Sequence, residues 1–154
     1  MPGDPKHTSG LLEMQCFAAN LRRAERAVHR LYAEEVRKSG LEPTQMTLLS
    51  VLAKAGEASQ GDLAEWLAID STTLSRTLAP MINRGWIASE PGADRRVRLH
   101  RLTPAGTRLL RKARRHWQRA QNRLRRVIGA DDWPQLIDQF IHVTRAAERA
   151  LDRT

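Results

Sequence analysis

Ser71, Thr72, Thr73, Ser75 and Arg76 crowd the start of one predicted helix, and Asp94, Arg95, Arg96 and Arg98 follow a Pro91-Gly92 turn further along the chain. These residue types suit the recognition of nucleic acid. Short hydroxyls address base edges and phosphates at close range, and an arginine can grip guanine with two parallel hydrogen bonds. The N-terminus of a helix itself favours phosphate. A forked guanidinium in a basic turn suits a narrow minor groove or a phosphate. Asp94 is the odd member, because an acid facing DNA would repel it. Its expected role is to hold a neighbouring arginine through a charge-assisted bond.

Such residues work only if the elements carrying them aim them outward. Leu74, Leu78, Met81 and Ile82 form the inward stripe of the helix opened by Asp70 or Ser71 and closed by Gly85, which turns Thr72, Thr73 and Arg76 to the outside. A shorter helix precedes it, opened by Ser59 or Gln60, with Leu63, Ala64 and Leu67 inward. Strands are expected over residues 86–89 and 97–102, joined through Pro91-Gly92. Thr103-Pro104 reads as an N-cap with proline at the first helical position. It opens a long helix to about Ile128 with Leu110, Ala113, Trp117, Ala120, Leu124 and Val127 on one face. A final helix begins at Asp131 or Asp132, with Trp133, Leu136, Ile137 and Phe140 in its stripe. Upstream, apolar residues from Phe17 through Leu21, Ala24, Val28 and Leu31 predict a first helix over residues 9–39, stopped by Gly40. Thr44 is expected to cap a second helix carrying Met46, Leu49 and Leu52.

The fold expected from this order is mainly α with a small antiparallel β wing: a winged helix-turn-helix with six helices. Residues 1–8 read as a disordered tail, 40–103 as the DNA-binding region, and 9–39 with 104–154 as a helical dimerisation region. The central module is too small to cover the apolar faces of all three terminal helices. Packing the N- and C-terminal helices of two copies together would bury them, and two-fold symmetry would set two reading helices about one helical turn of DNA apart.

Charge points the same way. The chain holds 26 Lys and Arg against 17 Asp and Glu, a net +9. Residues 60–126 carry 15 of the bases and 5 of the acids, leaving the flanks 11 against 12. The excess is one contiguous block, the footprint of a polyanionic partner. With 41% hydrophobic residues and no apolar run of membrane-spanning length, no transmembrane segment is expected. No secretory signal is visible, and the single cysteine, Cys16, fits a reducing cytoplasm. His7, His29, His100, His116 and His142 are scattered without metal-ligand spacing, so neither catalysis nor a cofactor or metal is expected. Few aromatics lie on an open sheet, which argues against RNA.

The stretch DLAEWLAIDSTTLSRTLAPMINRGWI, followed by DRRVRLHRLTPAG, resembles the MarR family of bacterial transcriptional regulators. The likeness runs over nearly the whole chain, and the D-R-R turn leading into L-T-P-A-G is its most specific part. The resemblance implies a homodimeric repressor that leaves a palindromic operator when a small molecule binds or a thiol is oxidised. It implies that the fourth helix reads DNA and that Arg96 reaches the minor groove with Asp94 in support. The expected DNA contacts are therefore Thr44, Gln60, Ser71, Thr72, Thr73, Ser75, Arg76, Arg84, Asp94, Arg95, Arg96 and Arg98. His100 departs from the family's pattern, which has an aliphatic residue there, and puts the packing of the wing base in question.

Two effector chemistries stay open. The family binds aromatic acids between the dimer helices and the reading module, where Phe17, His29, Tyr32, Met46 and Trp117 are candidates. Cys16-Phe17-Ala18 resembles the organic-peroxide-sensing branch, whose thiolate is held by two tyrosines. Tyr32 matches one, and Pro43 stands at the other position. The apolar neighbours of Cys16 equally fit a packed structural thiol. A sequence-indifferent architectural DNA binder is the remaining alternative, and it would show a large salt slope without a preferred site.

Overall fold

A computed structural model describes residues 16–152 and contains, among them, six α-helices, one 3-10 turn and a three-stranded sheet. The helices are α1 (Phe17–Val36), α2 (Pro43–Ala55), α3 (Gln60–Leu67), α4 (Ser71–Asn83), α5 (Pro104–Ile128) and α6 (Asp132–Leu151). The strands are β1 (Glu57–Ser59), β2 (Ile87–Pro91) and β3 (Arg98–Leu102). Contacts divide the chain after Trp117, within the span of α5. The first unit holds α1 to β3 and the start of α5, and the second holds the rest of α5 and α6.

The first unit is organised by one apolar cluster. Leu48, Leu49 and Leu52 of α2, Leu63 of α3, Leu74, Leu78 and Met81 of α4, Ile87 of β2, and Leu110 and Ala113 of α5 are all buried in it. Each comes from the inward stripe of its element, so burial and helical period agree. Leu41 and Val36 seal the junction between α1 and α2. The second unit is less covered: α6 buries none of its residues, and Ile137, Phe140 and Ile141 are exposed.

Four sequence expectations change. Glu42, not Thr44, caps α2. Pro43 takes the first helical position, and the Glu42 amide donates to Gln45 Oε1 at 3.1 Å while the Glu42 side chain accepts from the helix. The proline fixes the backbone torsion of the first turn, which moves the start of the helix ahead of Thr44. Second, α1 begins at Phe17 with Cys16 at its N-cap. Residues 1–8, expected as a tail, and 9–15, expected as helix, lie outside the described residues. The chain leaves α1 by a 3-10 turn (Arg37–Ser39) that Gly40 closes at φ 92°.

Third, the sheet has a strand that periodicity did not show. Three residues, Glu57, Ala58 and Ser59, pair antiparallel with β3 in the register Glu57↔Arg101, Ala58↔His100 and Ser59↔Leu99. β3 is therefore the central strand, in the order β1-β3-β2. Fourth, the hairpin strands sit slightly later than expected, pairing Ile87↔Leu102 through Pro91↔Arg98. Pro91 thus ends β2 instead of opening the turn.

Candidate nucleic-acid interface

α3 starts at a reciprocal cap. The Ser59 hydroxyl accepts from the Asp62 amide at 3.1 Å, and Asp62 Oδ2 accepts from both the amide and the hydroxyl of Ser59. Hydrogen bonds from Ser59 hold the Asp62 carboxyl below the usual carboxylate range. The helix ends at Ala68, whose φ of 50° puts an L-residue in the left-handed region to make the sharp turn toward α4. Asp70 then caps α4, accepting from the Thr73 hydroxyl at 2.6 Å and the Thr73 amide at 2.9 Å. These bonds, the hydroxyl's first, hold the Asp70 carboxyl down as well.

The caps decide what the reading helix has left to offer. Thr73 is committed to Asp70. Ser75 donates to the Ser71 carbonyl at 2.8 Å and accepts from Gln60 Nε2 at 2.7 Å, with Ser71 Oγ also within reach of that amide at 3.4 Å. Gln60 therefore braces the start of α3 against the first turns of α4. Thr72 and Arg76 are exposed, and among the described residues neither side chain has a hydrogen-bond or ion-pair partner. Arg84, at the far end of α4, lies over the Trp86 ring at 5.0 Å. Thr44 is exposed in the first turn of α2.

The wing is a hairpin with an ordered tip. The Gly92 amide donates to the Val97 carbonyl at 2.8 Å, the Val97 amide to the Asp94 carbonyl at 2.9 Å, and the Arg96 amide to Asp94 Oδ1 at 2.9 Å. Asp94 supports Arg96, but through the backbone. The expected charge-assisted bond to a guanidinium is absent among the described residues, because the short Asp94 side chain closes a turn on its own segment. The Arg95 and Arg96 side chains are exposed and without partners among the described residues. Arg98 is engaged instead: its Nε donates to Ser89 Oγ at 2.9 Å and its Nη2 to the Ser89 carbonyl at 2.7 Å, pinning the two strands together. Arg101 pairs with Glu90 across the same strands.

His100 answers the question its departure raised. It is 3% exposed at the centre of the sheet, flanked by Ala58 and Ser89, and neither ring nitrogen has a partner. Burial, with Arg98 nearby as a smaller cause, pushes its pKa below the ordinary histidine value. The ring serves as an apolar plug at the base of the wing.

Reading helix, wing and long helix meet at one joint. The Thr103 amide donates to the Trp86 carbonyl at 3.1 Å, and the Thr103 hydroxyl donates to the Gly85 carbonyl at 2.6 Å while accepting from the Gly106 amide at 3.0 Å. A Cβ at Gly106 would overlap the Trp86 carbonyl, so only glycine lets α5 lie against the chain leaving α4. The Thr103-Pro104 cap was legible in the sequence. Its tie to Gly85 and Trp86 was not, and the spacing from Thr103 to Gly106 was its only trace.

The effector candidates separate. Tyr32 of α1 and Trp117 of α5 meet with ring centroids 6.4 Å apart and planes tilted by 53°. Burial pushes the Tyr32 hydroxyl above its ordinary pKa. Met46 lies in the core cluster, with Trp117 packed against that cluster. His29 is exposed, beside Glu25 at 4.0 Å, in a shallow depression of α1 lined also by Arg26 and Arg30. Phe17 is 62% exposed. Cys16 is exposed too, and not packed as its neighbours had implied. Among the described residues no group of three or more His, Cys, Asp and Glu could hold a metal ion, and no helix is long and apolar enough to cross a membrane.

Comparison with known proteins agrees with this architecture. Residues 39–97 match the family described as MarR family. The transcriptional regulator MosR of M. tuberculosis, solved in complex with DNA, is 31% identical, with the match covering 88% of this chain and 98% of that one at a TM-score of 0.79. The chain belongs to the MarR family of transcriptional regulators. The repressor CouR bound to a 23-mer DNA duplex has the same fold (TM-score 0.81, 23% identity, 86% and 95% of the two chains). YdgJ of Bacillus subtilis (strain 168), an HTH-type transcriptional regulator, is 28% identical over 101 residues, or 65% of this chain. The matched segment spans 62% of that relative.

Proposed function

We propose that this chain is a homodimeric regulator that binds a pseudo-palindromic site in duplex DNA and represses from it until a small aromatic acid or similar ligand releases it. The observation that carries the DNA reading is the division of labour on one rigid unit. Thr72 and Arg76 on α4, with Arg95 and Arg96 on the wing, have side chains free to bind, while Thr73, Asp70, Gln60 and Arg98 are spent holding the frame. Free donors on a braced helix suit base edges in the major groove, and free guanidinium groups on a hairpin suit the flanking minor groove or backbone. MosR and CouR, which share the fold, were solved with DNA.

The dimer reading rests on the apolar faces left open. Phe17, Leu21 and Val28 on α1 are exposed, as are Ile137, Phe140 and Leu151 on α6. A second copy would bury faces that otherwise stand in water. For the effector, the half-buried Tyr32–Trp117 pair supplies the aromatic wall an aromatic acid would stack on. The exposure of Cys16 supports the second reading, release by an organic hydroperoxide oxidising that thiol.

Selection of binding sites from random duplex DNA, repeated with aromatic acids and with an organic hydroperoxide, tests all three elements. Enrichment of a palindrome lost on adding an aromatic acid supports the proposal. Loss with peroxide alone supports the thiol reading, and binding without sequence preference means an architectural protein.

A further inference from the structure

Nine of the chain's 26 Lys and Arg lie between Arg108 and Arg126 of α5, with no Asp or Glu among them. The remaining 17 are matched by 17 Asp and Glu, so this helix accounts for the whole net charge of +9. Within the first unit, Arg108, Arg111, Lys112 and Arg115 fall at i, i+3, i+4 and i+7, which sets them on one helix face. All four are exposed, while Leu110 and Ala113 are buried on the other side. Among the described residues no carboxylate lies within ion-pair distance of any of the four. Like charges at these spacings repel and weaken the helix that carries them. A second copy of the chain could not relieve this, since outside α5 the chain has no net negative charge to bring.

We propose that this face of α5 binds the phosphate backbone of duplex DNA outside the operator core, giving the protein a second, sequence-independent grip. The proposal rests on the duplex-DNA reading above. The Thr103–Trp86–Gly106 joint fixes the start of α5 to the end of the reading helix, so this face is held rigidly to the element that finds the site. A lipid surface is a poorer occupant, because an interfacial helix must insert its apolar face, and Leu110 and Ala113 are already in the core.

The test combines Arg108→Gln, Arg111→Gln, Lys112→Gln and Arg115→Gln in the full chain, with melting measured to confirm the fold. Affinity is read against salt on three duplexes: the selected operator alone, the same operator within long flanks, and long random DNA. The native chain should bind the flanked operator at least ~10-fold tighter than the bare one. The variant should lose that gain and hold the bare operator as before. On both long duplexes its salt slope should fall by roughly 3 to 4 per subunit, at about 0.9 for each phosphate released. An unchanged slope and an unchanged gain from flanks, with native binding intact, overturn this inference alone. Failure of the native chain to bind any duplex overturns the DNA reading with it. Loss in the variant of binding to poly-glutamate or anionic vesicles, with DNA binding untouched, assigns the face to another polyanion and overturns the proposal.

Discussion

Gln60 Nε2 donates to Ser75 Oγ at 2.7 Å, joining the first residue of α3 to the middle of the first turns of α4. Ser75 also gives its own proton to the Ser71 carbonyl, so its hydroxyl can only accept from a base. Gln60→Ala would release both constraints. The expected cost is about 0.5–1.5 kcal/mol of stability, together with weaker discrimination at the base pair facing Ser75. Titration against single-base operator variants reads the second effect. Discrimination equal to the native protein's would show that Gln60 is only a surface residue.

The wing makes a different prediction, because Asp94 acts through an acceptor and not through its charge. Arg96→Ala should weaken operator binding ~10-fold, or about 1.4 kcal/mol. Asp94→Ala, which frees the Arg96 amide, should weaken it less but in the same direction. Asp94→Asn keeps an acceptor and should bind at least as well as the native protein. Equal losses in the alanine and asparagine variants would mean that the carboxylate charge matters after all.

His100 sets a pH dependence with a definite sign. Its pKa in the folded state lies below the ordinary 6.5, so the unfolded chain takes up the proton first. Its contribution is therefore complete above about pH 6.5 and is lost as pH falls from there toward the folded-state value. His100→Leu removes that loss and an unpartnered polar ring together, and should raise stability by about 1–3 kcal/mol. The difference between the two proteins should widen between pH 7 and pH 5 in denaturant unfolding. A constant difference would show that the ring titrates alike in both states.

Gly106→Ala should be among the costliest single-atom additions in the chain. The new methyl meets the Trp86 carbonyl, which is backbone and cannot swing aside, so α5 or the end of α4 must move. A loss of about 3 kcal/mol in stability is expected, with DNA binding reduced even where the protein remains folded. Gly61→Ala, whose Cβ meets nothing closer than Ser59 Oγ at 3.7 Å, is the matched control.

Most of the fold was legible because apolar stripes and caps agreed. Leu74, Leu78 and Met81 announced a helix that Asp70 and Gly85 bounded, and Thr103-Pro104 opened α5 where expected. β1 was not legible, because Glu57, Ala58 and Ser59 have no alternation long enough to register and owe their pairing to β3. The site divided along a similar line. Residue types marked Thr72, Arg76, Arg95 and Arg96 as candidates. They could not show that Thr73, Ser75 and Arg98 are occupied by Asp70, Gln60 and Ser89, since those bonds depend on which elements the core brings together.

The joint at Thr103, Trp86 and Gly106 also defines what can be exchanged between relatives. Its hydrogen bonds tie residues before the wing to residues after it, so the hairpin is an inserted loop between two halves of one fixture. A chimera that grafts foreign DNA specificity onto this chain should therefore carry everything from Ser59 through Gly106 as a single cassette. Cutting at the end of β3, where the secondary structure invites it, would pair one parent's threonine with the other parent's tryptophan carbonyl.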